Sequence, residues 1–296
     1  MILNDIILST IRSGKGDCIH LHYNGCNLII DSGSTSTAGA FRNLCETILA
    51  KGESLDALII THYDDDHIGG ILKAGDLGFH DVYFNAYDGV TDNKNLSAVQ
   101  NQRLFHLLPA ANVHASVLSS DVIEIGGAKL TVHAPTDIAL SKAKLQMKNA
   151  DVYLGVISDW GFSFDELMER DYPISDSSIS NQASVVFTFT YGDCKILFTG
   201  DAWDESIPAG SFDIVKLPHH GSARNVSDEL LKRLNTDAFL ICADGTSHPN
   251  KQTVAKLLKI KGKATIYSNY NWWLKGFLSL EDMKYIDSGK LAFKLI

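Results

Sequence analysis

The sequence predicts a globular α/β protein in which strands alternate with helices, as one large domain or two modest ones. The apolar segment 18–30 contains an Asn24-Gly25 pair, which is typical of a tight hairpin turn because both residues tolerate positive φ angles. Residues 39–51 place apolar side chains on one face of a helix. Two further strands in residues 181–201 are joined by a Gly-Asp turn. With 296 residues, the chain can bury a sizeable core.

Composition places the chain among soluble cytoplasmic proteins with no membrane partner. Hydrophobic residues make up 45% and charged residues 21% of the sequence. No apolar run approaches the roughly 18–20 residues that cross a bilayer, and the start of the chain lacks the pattern of a secretory signal. The five cysteines are odd in number and show no C-x-x-C spacing. That usage is typical of reduced thiols.

The net charge of −9 is unevenly distributed. Residues 213–296 contain 13 Lys and Arg against 8 Asp and Glu, a balance of +5, so the preceding residues carry −14. Bound metal would neutralise part of that acidity. A basic C-terminal portion could help to hold an anionic substrate, although an exposed lysine-rich helix near 251–263 explains the same residues. The overall sign disfavours long duplex nucleic acid.

Hydrophobic periodicity and turn residues predict the elements in order. In the first half, strands are expected at 2–11, in the hairpin at 18–30, at 55–61 and 81–88, and twice within 113–134, with helices at 39–51, after Gly69-Gly70 and at 92–111. In the second half, strands are expected at 184–191, 195–200, 213–222 and 237–244 and in the last 35 residues, with helices at 226–235 and 251–261. Residues 136–180 lose the periodicity and predict an insert that acts as a lid or specificity element.

Residues 62–67 (HYDDDH) follow the apolar strand directly, and Tyr63 is their only member that cannot bind a metal. So much polarity at the end of a core strand is costly unless a cation lies there. Imidazole and carboxylate are the usual nitrogen and oxygen ligands of divalent metals. An acidic surface turn is the weaker alternative. The candidate ligands in this segment are His62, Asp64, Asp66 and His67.

The pattern H-x-D-x-D-H-x-G-G at residues 62–70 resembles the second motif of the metallo-β-lactamase superfamily, usually H-x-H-x-D-H. The form with Asp64 in place of histidine is similar to the hydrolase domain of ComEC-type competence proteins. The resemblance covers nearly the whole chain apart from the insert, with five motifs in family order. It implies an α+β fold of four layers, with two mixed β-sheets packed face to face and helices outside, as a single domain over residues 1–296.

The same resemblance assigns roles to residues near other strand ends. Asp31 matches the first-motif aspartate, which supports the ligands rather than binding metal. Asp201 matches the carboxylate that bridges two metals. Asn181 stands where other members have their third-motif histidine, so another residue must supply that ligand. His248 matches the fifth-motif histidine, which completes the shell of the second metal.

His219 and His220 are further candidates in a P-H-H-G-S segment at the end of a predicted strand. Because adjacent strand residues point to opposite faces, we expect only one of them to bind a metal. The other could protonate a leaving group or contact a phosphate. The sequence does not decide between them.

Three further features left alternatives open. Residues 14–17 (GKGD) resemble a ComEC-type G-x-G-D segment, and turn formation is the preferred interpretation. His133 is interpreted as a hydrogen-bonded strand-end histidine rather than a ligand. The aromatic cluster of Tyr267, Tyr270, Trp272 and Trp273 could stack on bases, but packing is preferred.

Collected, the donors suit two divalent cations, zinc or manganese, bridged by a carboxylate and a water. We expect a hydrolase that uses a metal-bridging hydroxide, with Asp66, His219 and His220 at the reaction centre. The expected substrates are phosphodiesters of nucleotides or single-stranded nucleic acid. Alternatives are small carboxylic, lactone or phosphocholine-like esters, or a metal-containing binding protein with no activity.

Overall fold

Two β-sheets packed face to face form the centre of the protein, and helices cover both outer faces. The computed structural model describes residues 1–87, 96–108, 111–146, 158–172 and 175–296. Within these residues, seven strands between residues 2 and 114 form one sheet, and eight strands between residues 122 and 295 form the other. The predicted four-layer α+β sandwich of the metallo-β-lactamase fold is therefore confirmed.

The bounds of the strands and helices are as follows. The first sheet contains β1 (Ile2–Leu3), β2 (Ile6–Thr10), β3 (Ile19–Tyr23), β4 (Cys26–Ile30), β5 (Ala57–Ile59), β6 (Asp81–Tyr83) and β7 (Asn112–His114). The second contains β8 (Val122–Ile125), β9 (Ala128–Ala134), β10 (Val186–Tyr191), β11 (Cys194–Phe198), β13 (Ile214–Lys216), β15 (Ala238–Ile241), β16 (Ala264–Ser268) and β17 (Leu291–Leu295), while β12 (Gly210–Ser211) pairs separately with β14 (Leu234–Asn235). The helices are α1 (Ala38–Ala50), α2 (Asp65–Ala74), α3 (Leu96–Leu107), α4 (Asp137–Gln146), α5 (Phe164–Met168), α6 (Ile179–Gln182), α7 (Asp228–Arg233), α8 (Lys251–Lys261) and α9 (Met283–Asp287).

Each sheet has an antiparallel half and a parallel half. In the first sheet, β1 to β4 pair antiparallel and β4 to β7 pair parallel. In the second sheet, β8 to β11 pair antiparallel, and β11, β13, β15, β16 and β17 continue in parallel. The carboxyl ends of the parallel strands therefore lie side by side in each sheet, where loops with functional side chains are usually found.

Three hydrophobic clusters hold the four layers together. The cluster between the sheets takes residues from both, such as Leu28 and Phe187. A second joins the first sheet to α1 and α2, and a third joins the second sheet to α7 and α8. In α1, the buried residues Phe41, Cys45 and Ile48 follow the predicted helical spacing.

Several element boundaries differ from the predictions. The N-terminal strand is split into β1 and β2 by a turn in which Asn4 has a φ of 51°. Helix α2 begins at Asp65, before the two glycines rather than after them, and Gly70 packs against the loop after β4, where a Cβ atom would lie 1.9 Å from Ser32 O. Residues 264–296 contain β16, α9 and β17 instead of strands alone. Two strands were expected within residues 113–134, but the structure has three, β7, β8 and β9. The first of these, β7, belongs to the first sheet.

Other predicted features agree with the structure. Asn24 and Gly25 have φ angles of 49° and 72° in the β3–β4 hairpin. His133 Nε2 forms a hydrogen bond with Thr188 Oγ1 at 2.8 Å. Trp272 is fully buried, so packing explains that member of the aromatic cluster. No helix among the described residues is long and apolar enough to cross a membrane.

The insert is partly described and lies against the second sheet's helices. Asp159 accepts hydrogen bonds from the first backbone amides of α8, at Lys251 and Gln252, both at 2.8 Å. Trp160 Nε1 donates to Pro249 O at 3.1 Å. These contacts are those of an anchor. Residues 147–157 and 173–174 of the insert lie outside the described residues, and its role as a lid stays a prediction.

Candidate metal centre

The predicted ligands lie together where the carboxyl ends of the parallel strands meet. Asp31 follows β4, residues 61–67 follow β5 and open α2, and Asp201 follows β11. The loops after β13 and β15 bring three more side chains, those of His219, His220 and His248. Residues that are nearly two hundred positions apart in sequence thus share one site.

Asp201 lies at the centre of this site and is 3% exposed. Its Oδ1 atom is 3.3 Å from His67 Nε2, and its Oδ2 atom is 3.4 Å from His220 Nε2. His219 Nε2 and His62 Nε2 lie 3.8 Å and 3.9 Å from Oδ2. Two ligands bound at about 2.0–2.1 Å to a tetrahedral ion are roughly 3.3 Å apart. The separations of His67 and His220 match this value, and those of His219 and His62 are somewhat longer. Four imidazoles thus surround one carboxylate, as ligands of metal ions that share it would.

The donors divide into two groups around Asp201. In the first group, His62 Nε2 lies 3.8 Å from Asp64 Oδ2, and His219 approaches from the opposite sheet. Asp64 is held from behind, because its Oδ1 atom accepts a hydrogen bond from Ser97 Oγ at 2.8 Å. Its Oδ2 atom therefore faces the site.

The second group contains Asp66, His67 and His220. His220 Nε2 lies 3.3 Å from Asp66 Oδ2, and His67 Nε2 lies 3.9 Å from Asp66 Oδ1. The two Nε2 atoms are 3.2 Å apart. The second group is thus more compact than the first.

Both His219 and His220 face the site, so the expectation that their side chains point to opposite faces is wrong, whereas the number of these histidines that bind metal stays a prediction. The strand ends at Lys216, and both histidines adopt left-handed backbone angles, with φ of 47° and 53°. The alternation of side chains along a strand does not apply to such a turn. Each imidazole consequently reaches Asp201 from its own side.

His248 lies beside both of these rings. Its ring centroid is 5.0 Å from that of His219 and 6.4 Å from that of His220. Burial, followed by repulsion from these two histidines, lowers the pKa of His248 to about 3. The neutral ring keeps a lone pair, as a metal ligand requires.

Carboxylate and amide groups orient the imidazoles from behind. His67 Nδ1 donates to Asp31 Oδ2 at 2.8 Å, and Asp31 is fixed in turn by Thr61 N and Oγ1, both at 2.7 Å. Asp31 thus has the geometry of the supporting residue that the resemblance implies.

His219 is held in the same way by amide side chains. Its Nδ1 atom donates to Asn225 Oδ1 at 3.0 Å, and Asn181 Nδ2 lies 3.3 Å away. Both amides donate to Asp176 Oδ2 at 2.8 Å. Asn181 therefore lies behind His219, whose Nε2 atom faces Asp201.

Buried polar atoms test whether these residues fit metal ions. Among the described residues, His62 Nε2, Asp201 Oδ1 and His248 Nδ1 are buried without a hydrogen-bond partner. A buried atom of this kind costs free energy unless it is paired. The atoms of His62 and Asp201 belong to the donor groups, and the ring of His248 lies beside them. The donor set therefore fits divalent cations.

The charges in the cluster depend strongly on one another. Burial alone would raise the pKa of Asp201, but attraction to His220 and His67 lowers it well below its ordinary value. Conversely, burial would lower the pKa of His67 and of His220, but Asp201 and the carboxylates behind the rings raise both well above their ordinary value. Positive charge among these side chains, from protons or from metal ions, is therefore stabilising.

Two buried residues near the site were not predicted. Asp17, in the turn at 14–17, and Lys216, at the end of β13, form an ion pair next to His220. Turn formation alone therefore does not account for the GKGD segment. A lysine inside the apolar run IVKL was the available signal for Lys216, because an unpaired charge is not tolerated there.

The fold and this site define the class of a metal-dependent hydrolase. The profile of the Metallo-beta-lactamase superfamily matches residues 13–245, and the chain belongs to that superfamily, whose members are generally metal-dependent hydrolases. No curated protein matches the sequence.

Solved structures similar to this chain have low identity to it. The metallo-β-lactamase fold protein YhfI from Bacillus subtilis is 12% identical over 97% of this chain and 95% of its own, with a TM-score of 0.47. Zinc-bound PqqB from Methylobacterium extorquens is 13% identical over 95% and 85%, with a TM-score of 0.47. A diphosphatase of the PhnP family is 16% identical over 98% and 92%, with a TM-score of 0.43.

Proposed function

We propose that this chain is a two-metal phosphodiesterase that cleaves phosphodiester bonds in nucleotides or single-stranded nucleic acid. The observation that carries the proposal is that both donor groups lie around Asp201. His67 and His220 of the second group are 3.3 and 3.4 Å from its carboxylate oxygens, and His219 and His62 of the first group are 3.8 and 3.9 Å away. Paired metal sites of this kind are typical of phosphatases and nucleases. The H-x-D-x-D-H pattern, which resembles that of ComEC-type hydrolase domains, supports the substrate class.

The residues divide the work between two cations. His62, Asp64 and His219 would hold one ion, Asp66, His67 and His220 the other, and Asp201 both. When bound, divalent ions at these positions would acidify a water molecule and withdraw negative charge from a phosphoryl oxygen. The three carboxylates make the site hard and anionic, which suits manganese as well as zinc.

Substrate would approach from the exposed side of the cluster. The side chains of Asp64, Asp66 and His219 are 39%, 30% and 26% exposed, whereas those of His62 and His67 are fully buried. A reacting phosphate placed there would contact the open faces of both donor groups.

The free and buried state of all five cysteines supports a cytoplasmic location.

A panel of substrates tests the proposal. Purified protein loaded with zinc or manganese is assayed on bis-p-nitrophenyl phosphate, single-stranded DNA, p-nitrophenyl acetate and a lactone. We expect turnover of the phosphodiesters and a loss of at least about 100-fold in Asp66→Asn. The matched control is Asp65→Asn. Asp65 is the neighbouring aspartate, which bonds Thr35 and Gln100 outside the cluster, and its variant should keep wild-type turnover.

Each remaining outcome would contradict the proposed mechanism or indicate a different function. Turnover that survives Asp66→Asn would contradict metal-dependent hydrolysis at this site. Activity on carboxylic esters or the lactone alone would assign the chain to the ester hydrolases. Stoichiometric metal binding without turnover of any substrate would identify a metal-containing binding protein.

A further inference from the structure

Asp17 and Lys216 are buried charged residues that lie directly behind the donor cluster. Each is 1% exposed. Lys216 Nζ forms an ion pair with Asp17 Oδ2 and donates to Gly200 O at 2.8 Å. The same Nζ atom lies 3.7 Å from Asp201 Oδ1. The ion pair therefore connects the turn at 14–17 with the loop that carries the shared carboxylate.

The other oxygen of Asp17 contacts His220. Its Oδ1 atom accepts a hydrogen bond from His220 Nδ1 at 3.2 Å, and Cys242 O accepts from the same nitrogen at 3.0 Å. Because Nδ1 carries the proton, the Nε2 atom presents its lone pair to the site. Asp31 and His67 have the same arrangement. A carboxylate behind a ligating imidazole fixes its tautomer and raises its basicity.

Asp17 itself is poorly placed to bind a metal. One carboxylate oxygen of Asp17 and one ligand atom each of His67, Asp201 and His220 all lie within 4.8 Å of one another. However, Asp17 faces the Nδ1 atoms of both imidazoles, at 3.2 Å and 3.9 Å, whereas the donor groups are built from Nε2 atoms. Its two oxygens are already used by Lys216 and His220. It therefore acts behind the ligands.

We propose that Asp17 and Lys216 are positioning residues, in which Asp17 holds His220 for the second metal and Lys216 neutralises Asp17 while fixing the loop that carries Asp201. This inference rests on the proposed function. Lys216 allows a carboxylate to be buried behind His220 without an extra metal ion, since an unpaired buried charge would be strongly destabilising. The two donor groups would then differ in the direct partner of the imidazole. His219 Nδ1 donates to the amide of Asn225, with the Asp176 carboxylate 3.6 Å away, whereas His220 Nδ1 donates to the carboxylate of Asp17.

The affinities of the two metal ions test this proposal. Zinc binding to the full chain is measured by competition with a chromogenic chelator, and cobalt binding by its absorption spectrum. The variants are Asp17→Asn, which removes the charge, and Asp17→Asn/Lys216→Met, which leaves no unpaired charge in case the single variant does not fold. In Asp17→Asn, we expect one of the two ions to bind about 10- to 100-fold more weakly and the other to bind as in the wild type. In the double variant, we expect the same ion to be the more weakened, with a smaller loss of affinity for the other because Lys216 also holds the loop of the shared Asp201.

A second buried ion pair provides the control. Lys251 Nζ and Asp282 Oδ2 lie 2.6 Å apart and are as buried as Asp17 and Lys216, but they belong to α8 and the segment before α9. Asp282→Asn should lower the melting temperature while both ions bind normally. The proposal is overturned if the folded Asp17 variants bind both ions as the wild type does, or lose both equally in proportion to thermal stability. A wild-type protein that binds no divalent ion would instead remove the proposed function.

Discussion

His67 and His220 present their Nε2 atoms to each other across 3.2 Å, while the Nδ1 atom of each ring donates to an acceptor behind it. A neutral imidazole with its proton on Nδ1 has a lone pair on Nε2. Two lone pairs at this distance repel each other unless a cation lies with them. Without metal, protons supply that charge, which agrees with the raised pKa of both rings.

Metal ions and protons should therefore compete for the site. A group whose pKa is raised on folding stabilises the folded state below its unfolded pKa of about 6.5, and this contribution is lost as pH rises through the folded value. The metal-free protein thus loses stability from His67 and His220 on the alkaline side, where metal binds best. We expect the difference in melting temperature between zinc-loaded and EDTA-treated protein to widen from about pH 6 to pH 8.5. A difference that narrows over this range would contradict the assignment.

Gly16 should be required for the assembly of the site. A Cβ atom at Gly16 would lie 1.7 Å from Asp66 O, so the turn at 14–17 and the start of α2 fit together only without a side chain. We expect Gly16→Ala to lower the free energy of unfolding by about 2–3 kcal/mol and to weaken metal binding. The measurement is urea unfolding together with zinc titration.

The control is Gly39→Ala, because Gly39 lies in α1 and a Cβ atom there meets nothing within 4 Å. The free energy of unfolding of that variant should be about 0.5 kcal/mol higher than that of the wild type, and the variant should bind zinc normally. Equal stability of the Gly16 and Gly39 variants would show that the close approach has no energetic weight.

Asp64 should tune which metal is bound. It replaces the second histidine of the usual motif, and Ser97 directs one of its oxygens towards the first donor group. Because imidazole favours zinc and carboxylate favours manganese, Asp64→His should raise the ratio of zinc to manganese affinity by about tenfold or more. Ser97→Ala should weaken both metals without changing their ratio. An unchanged ratio in Asp64→His would place Asp64 outside the ligand set.

Substitution of His219 should remove one metal ion, and substitution of His220 should remove the other. The structure directs His219 to the group of His62 and Asp64, and His220 to the group of Asp66 and His67. We expect each of His219→Ala and His220→Ala to retain close to one ion per chain, measured by mass spectrometry of bound metal. A variant that keeps two ions but loses turnover would instead identify its histidine as the proton donor to the leaving group.

Sequence reasoning located most of the donors because their signal is local. A run of histidines and aspartates after an apolar strand predicted a metal site at residues 62–67, and the family resemblance implied that Asp201 and the histidines at 219–220 join it at one edge of a sandwich. Asp66, Asp201 and His220 do meet there. The family resemblance supplied the order of the motifs. Neither source required knowledge of the packing.

The remaining features depend on packing that no local pattern encodes. Asp17 follows a glycine turn that resembles any surface turn, and its burial arises only when α2 closes over it, as Asp17 N donates to Asp66 O. Because His219 and His220 have left-handed backbone angles, the prediction from strand alternation that their side chains point to opposite faces was wrong. The start of α2 was placed after Gly69 and Gly70 instead of at Asp65, although these glycines do allow the close approach that was expected of them.

Anomalous scattering at the zinc edge from crystals of the zinc-loaded protein would show whether two ions share Asp201. We expect two peaks about 3.5–4 Å apart, on either side of Asp201, each about 2.0–2.2 Å from donors of one group. Anomalous peaks elsewhere in the protein, with none beside Asp201, would contradict this expectation.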